Sequence, residues 1–432
     1  SLAAPDPQQQ QAIATAFRGL MRALHQESAT SLRISILAEP AAQNFINTHA
    51  AALDSTFQTM PMSDTMRMRL QRSDYIFSGI KTFHELNEAF PSLLDENGNR
   101  KPFERFLNDV QTIDDTYNTN YLRAEYNFVA ASAAMAAKWE QFQADGDRYN
   151  LQYRTAGDDR VREEHAALHG ITLPPSDPFW ESYYPPNGWN CRCTVVQVRP
   201  SKYPATPHEQ AMALGEAAVP ADSKAAKFFR FNPGIQQRTV PDYNPYTISR
   251  CTTCPVAKGQ SQLSMSPYHG DPTHLAATIP SSDLCAACQL LHKCAADRTK
   301  SQRAIERTHY LHEMEPLLKV KHEKPTDAGT IKVGFTKYGN KHLFSDTFGR
   351  SAALHKEDLK SLGKLLEESV YLEQASLAHP RQDNITLFYY YKAQLNGRWV
   401  RLNVAKDEEL KPNGEKRIMY YLYSINDIRE NE

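Results

Sequence analysis

Apolar side chains recur at helical spacing through Ile13, Phe17, Leu20, Met21 and Leu24, which predicts an amphipathic helix near the start of the chain. The same period predicts a second helix over residues 62–77, interrupted at Ser78-Gly79. The run DENGN at 95–99 is a strong breaker. Pro102 then stands in the first turn, where a helix tolerates proline. A long helix follows over about 103–142, with Phe106, Val110, Ile113, Tyr117, Tyr121 and Leu122 in its apolar stripe. The small residues VAASAAMAA at 129–137 allow a second helix to approach closely. Helical core and packing surface account for this half of the chain.

The pattern changes at 151–200, where Pro, Gly, Asp and aromatic residues replace the helical period. A compact irregular region with short strands is expected there, and a loop-rich stretch over 200–250. Helical character returns over 283–318. The polar run KHEKPTDAG at 321–329 reads as a linker. Beyond it lie strand-like runs, TIKVGF, ITLFYYYKAQL, RWVRLNVA and RIMYYLYSI, with a helical stretch at 356–372 between them. The chain is thus expected to be multidomain. Its parts are a helical region (1–100), an irregular α+β module (101–250), a cysteine-pair region (251–320), the linker, and a small α+β domain (330–432).

At 432 residues the chain exceeds one core. Lys and Arg number 49 and Asp and Glu 50, for a net charge of −1, which argues against a whole-chain electrostatic grip on DNA but not against a local basic face. Apolar runs are short and broken by charge, so no membrane span or membrane partner is expected. The N-terminal residues lack a signal-peptide pattern. The seven cysteines fall into local pairs, Cys191/Cys193, Cys251/Cys254 and Cys285/Cys288, with Cys294 left over. Close pairing favours a reduced setting and metal ligation over a disulfide framework. The pairs Cys251-x2-Cys254 and Cys285-x2-Cys288, 30 residues apart, are compatible with one four-cysteine structural zinc site. His292 shares a helix face with Cys285 and Cys288 and is a substitute ligand. The competing reading makes these cysteines small buried apolar residues.

The segment YRTAGDDRVREEHAALHGITLPPSDPFWESYYPPNGWNCRCTVVQV at 153–198 carries the most specific signal. It resembles the phage Mu protein F family of minor head proteins. The resemblance rests on Arg154-Thr155, Asp158-Asp159, Arg162, His165, His169-Gly170, Asp177-Pro178-Phe179-Trp180 and above all PPNGWNCRC. It extends back through KTFHELN and Glu125-Tyr126-Asn127, and forward to FFRFNPG at 228–234. In physical terms, Asp158, Asp159, Arg160 and Arg162 are expected to form a buried ion-pair network that fixes irregular backbone. Trp180, Tyr183, Tyr184 and Trp189 supply a small aromatic core. His165, His169, Cys191 and Cys193 are zinc-ligand types, with a metal-free scaffold as the favoured reading. Nothing in the spacing singles out a nucleophile.

The strand, helix and strands order of 330–432 resembles the barnase/EndoU/RelE-like nuclease fold, in KVGFTKYGNKHLFSDTFGR and in the late strands ending YYLYSI. That resemblance implies a metal-independent ribonuclease, which needs an acid, a base and cations for phosphorane charge. His342 is the first candidate acid or base, with His355 a second proton carrier. Lys341, Arg350 and Arg401 are candidate phosphate ligands, and Tyr421 and Ser424 candidate hydrogen-bond donors. Together the resemblances imply a phage or prophage minor head protein, located in the virion or the host cytoplasm, whose partners are the portal and other head proteins. RNA and an immunity protein become partners if the C-terminal domain is a ribonuclease effector of the polymorphic-toxin kind. The alternative for that domain is non-catalytic assembly or binding.

Overall fold

The computed structural model describes residues 4–27, 31–221, 228–241, 244–246, 285–344, 353–377, 383–411 and 413–428. It divides into one unit of residues 1–62 and 66–297 and a second of residues 63–65 and 298–432.

The first unit opens with helix α1 (Pro7–Gln26). Asp6 caps it, accepting from the Gln9 amide while Gln9 reaches back to the Asp6 amide. The predicted stripe, Ile13 to Leu24, is fully buried. Helix α2 (Pro40–Asp54) and helix α3 (Asp64–Ala89) pack into the same core. Ser78-Gly79 does not interrupt α3. The Ser78 hydroxyl donates to the Asp74 carbonyl inside the helix, and a Cβ at Gly79 would lie 2.4 Å from Leu291 Cδ2. The glycine makes room for a neighbour and does not break the helix. The 95–99 breaker is a turn held by the Asp95 carboxylate, with Gly98 at φ 76°. After it, the single long helix expected from 103 is broken. Helical turns Phe103–Asp109 and Gln111–Asp114 lead into a π-helical stretch, Asp115–Asn120, and only then comes helix α4 (Leu122–Asp145).

A small antiparallel sheet follows, with β1 (Asn150–Arg154) between β2 (Thr172–Leu173) and β3 (Thr194–Val198). Trp180, Tyr183 and Tyr184 are the expected aromatic core, buried with Trp139, Phe142, Tyr153 and Phe179. Trp189 instead stacks on Phe228 beside Phe128 and Phe229, at the edge of the helical core. The expected buried network of Asp158, Asp159, Arg160 and Arg162 does not form. Asp159, Arg160 and Arg162 are exposed; of the expected contacts Arg160 still meets Asp158 at 3.5 Å, and Asp158 pairs bidentately with Arg192, both contacts at 2.6 Å. Helix α5 (Ala286–Glu313) contributes its buried residues, Ala287, Cys288, Leu291 and Ala295, to the first unit.

In the second unit, residues 321–329 are not a linker. They form β4 (Lys321–Thr326) and a turn into β5 (Gly329–Gly334), because Lys324 and Pro325 find partners across the unit. The sheet continues with β6 (Val370–Ser376), β7 (Ile385–Leu395), β8 (Arg398–Leu410) and β9 (Lys416–Asp427), in the order β4-β5-β9-β8-β7-β6. Only β5 and β9 run parallel. The sheet curls until its two edges meet. Lys324 donates to the Glu367 and Ser369 carbonyls, and the Tyr391 hydroxyl donates to the Pro325 carbonyl. The 356–372 helical stretch is a 3-10 turn, Lys356–Ser361, and a helix α6 (Leu362–Glu368) that covers one face with Leu362, Leu365 and Leu366. No helix of the described residues is long and apolar enough to cross a membrane.

Candidate functional site

Three polar centres stand out among the described residues. The first lies deep in the helical core. Lys81 of α3 is fully buried and donates all three of its protons: to Glu125 Oε2 (2.7 Å), the Tyr117 carbonyl (2.7 Å) and His49 Nε2 (3.1 Å). The Ser78 hydroxyl gives its proton to Asp74, so it must accept from His49 Nδ1 at 2.8 Å. His49 is therefore the neutral Nδ1–H tautomer, consistent with burial first and the Lys81 charge second lowering it to about 4. Burial alone would raise Glu125, but the charge and hydrogen bond of Lys81 overcome it and hold the carboxyl at about 2. Tyr246 donates to the other Glu125 oxygen. Nearby, burial raises Glu85 to about 8 against the Lys81 charge, and His84 meets the Tyr117 hydroxyl, which donates to Glu88. A cleft bordered by His84, Tyr117, Tyr121, Glu125, Trp189 and Tyr246 adjoins this network. KTFHELN and Glu125-Tyr126-Asn127 were legible as motifs. Their chemistry was not, because a buried lysine looks like a surface lysine in one sequence.

The second centre is in the aromatic module. His165 Nδ1 lies 3.8 Å from the sulfurs of both Cys191 and Cys193, with His165 and Cys191 buried. Cys193 and His165 hydrogen-bond Cys191 and pull its thiol well down, against burial; the same pairing pushes Cys193 up. His169 is not part of this group; its Nδ1 faces the Thr155 hydroxyl and amide. Cys288 is buried and Cys285 half-buried against the apolar core, while Cys251 and Cys254 lie outside the described residues. His292 is half-buried on α5.

The third centre is one face of the C-terminal sheet. A helical turn, Lys337–His342, lies against β9, where a Cβ at Gly339 would come within 2.6 Å of the Leu422 carbonyl. It places His342 over Tyr423, ring centroids 3.8 Å apart and planes tilted by 33°, with the Tyr423 hydroxyl on His342 Nε2. Tyr338 packs against the same histidine and against Tyr421, whose hydroxyl donates to Asp407. Lys341 is exposed beside them. The other candidates are engaged elsewhere: His355 caps the turn at Lys356–Ser361 with Asp358, Ser424 accepts from Asn403, and Arg401 stacks on Tyr390 at 4.5 Å. Arg350 lies outside the described residues. Tyr423 and Tyr338 were missed, although Tyr423 stands two residues from Tyr421 on the strand alternation.

Comparison with known proteins adds a family to the middle of this picture. Residues 97–196 match the family described as Phage Mu protein F like protein. This stretch runs from the 95–99 turn through α4 and the aromatic module to β3. The chain is 38% identical over 104 residues to "Putative capsid assembly protein F" of Escherichia phage Mu, covering 24% of this chain and 21% of that protein. It is 32% identical over 144 residues to the Mu-like prophage FluMu F protein of Haemophilus influenzae, covering 32% of this chain and 31% of that protein. The chain thus aligns with less than a third of either relative. No solved structure matches.

Proposed function

We propose that the chain is a minor head protein acting in the assembly of a phage or prophage capsid, with the portal and other head proteins as partners. The observation that carries this reading is the similarity over residues 97–196 to a protein named for capsid assembly. The construction of that stretch supports it. Two of its carboxylates are held by specific partners, Asp158 by Arg192 within the stretch and the buried Glu125 by Lys81 outside it, as befits a rigid module that presents a surface. The test is deletion of the gene in the phage or prophage that carries it. DNA-filled heads counted by electron microscopy fall on deletion and return when the full chain is supplied in trans. Unchanged numbers of filled heads reject the reading.

The second unit is proposed as an RNase-type domain centred on His342. What supports this is the placement of an ionisable ring among Tyr338, Tyr421 and Tyr423 on one sheet face. Expression of the full chain slows growth and cleaves RNA, and His342→Ala abolishes both. An inert, harmless chain makes the unit an assembly or binding domain instead.

A further inference from the structure

We infer that His165, Cys191 and Cys193 bind one zinc ion that pins the irregular loops of the aromatic module. All three ligand atoms lie within 4.8 Å of one another. Both sulfurs stand 3.8 Å from the same nitrogen, His165 Nδ1. Tetrahedral zinc, with bonds of about 2.3 Å to sulfur and 2.0–2.1 Å to nitrogen, sets sulfur and nitrogen about 3.6 Å apart. On both sulfur–nitrogen distances the ion therefore fits with shifts of a few tenths of an ångström. Without it, the buried Cys191 and the half-buried Cys193 crowd the same imidazole nitrogen, which has one lone pair to offer. A metal satisfies all three groups at once.

The surrounding residues hold the ligands in this arrangement from both sides. His165 sits in a single helical turn, Glu163–Ala166, preceded by a loop that carries Asp158 and Arg162. Cys191 and Cys193 sit between the Gly188–Cys191 turn, in which Asn190 takes a positive φ of 56°, and β3. Two contacts clamp these stretches together. Arg192, the residue between the cysteines, grips Asp158 with both nitrogens at 2.6 Å, and Arg162 donates to the Trp189 carbonyl at 2.7 Å. Such outer contacts orient ligands before the metal arrives. Gly188 leaves the space that Arg162 and His165 occupy; a Cβ there would meet Arg162 Nη1 at 2.9 Å and His165 Cε1 at 3.5 Å. Among the described residues no fourth histidine, cysteine or carboxylate joins the group. Cys193 is half-exposed, so solvent supplies the fourth position.

The test is metal analysis of the full chain purified without chelator. Wild type carries one zinc per chain. Cys193→Ser and His165→Ala lose it, while the double variant Cys251→Ser/Cys254→Ser keeps it, which separates this site from the other cysteine pairs. Because a ligand variant can fail to fold, two further readings use wild type. Cobalt in place of zinc gives a thiolate charge-transfer band, and chelation lowers the thermal midpoint. Less than about a third of an equivalent of zinc together with no cobalt–thiolate band overturns the inference. So does zinc that survives both Cys193→Ser and His165→Ala.

Discussion

At the scale of single residues, the most constrained group is Lys81. Its three protons have three acceptors, and its charge is what allows Glu125 to stay ionised while buried. Lys81→Met strands Glu125 in an apolar core. We predict a loss of about 3–5 kcal/mol in urea unfolding at neutral pH. The double variant Lys81→Met/Glu125→Gln, which removes both charges, recovers part of that loss; equal losses in single and double variants contradict the account. Glu85 gives a second prediction, with a pH sign. Burial raises its carboxyl from 4.5 to about 8, so the folded state holds the proton more tightly than the unfolded chain. Its contribution is complete below about pH 4.5 and is lost as pH rises toward 8. His49 works in the opposite direction: lowered from 6.5 to about 4, it favours folding above 6.5 and loses that contribution as pH falls through 4. Glu85→Gln removes only the first effect. Relative to wild type it should gain on the order of 3–4 kcal/mol between pH 5 and pH 8, and a difference that is flat with pH refutes the assignment.

At the scale of elements, Gly79 shows why local propensity misleads. Ser78-Gly79 reads as a break, yet α3 passes through it unkinked in secondary structure because Leu291 needs the space. Gly79→Ala gains about 1 kcal/mol of helix propensity. The new Cβ falls 2.4 Å from Leu291 Cδ2, and Leu291 is fully buried. Overpacking of that kind costs about 1–3 kcal/mol. The clash should win, and the variant should unfold at lower urea; a more stable Gly79→Ala would mean that Leu291 turns aside freely. The same comparison marks what was legible. The α1 stripe, the 95–99 turn and the strands β5, β7, β8 and β9 follow from period and turn chemistry, which are local. The π-helical break at Asp115–Asn120 is not local: there the Tyr117 carbonyl turns to Lys81, thirty-six positions away. The strand at 321–326 is hidden for a similar reason, since its polar sequence is satisfied only when the sheet closes on Glu367 and Ser369. Of the candidate sites, ligand types at His165, Cys191 and Cys193 were visible in sequence. Their convergence on one nitrogen was not, nor was the Tyr423 ring on His342.

At the scale of the molecule, each unit has its own core. Leu70 is fully buried among α1–α4, and Leu402 among β7, β8, β9 and α6. Two helices have residues in both units, α3 through Asp64 and Thr65 and α5 through its C-terminal half, which raises the question of whether the units unfold together. The buried residues of α5 end at Ala295, and residues 300–305 are exposed, with Ile305 at 71%, before Tyr310 stacks on Phe344. A helical segment without a packed face is marginal in water and transmits little cooperativity. Two calorimetric transitions are therefore expected rather than one. Leu→Ala at a filled core position costs about 2–5 kcal/mol. Leu70→Ala should lower one transition and leave the other in place, and Leu402→Ala should do the reverse. If both variants shift a single common transition, the two cores are energetically one.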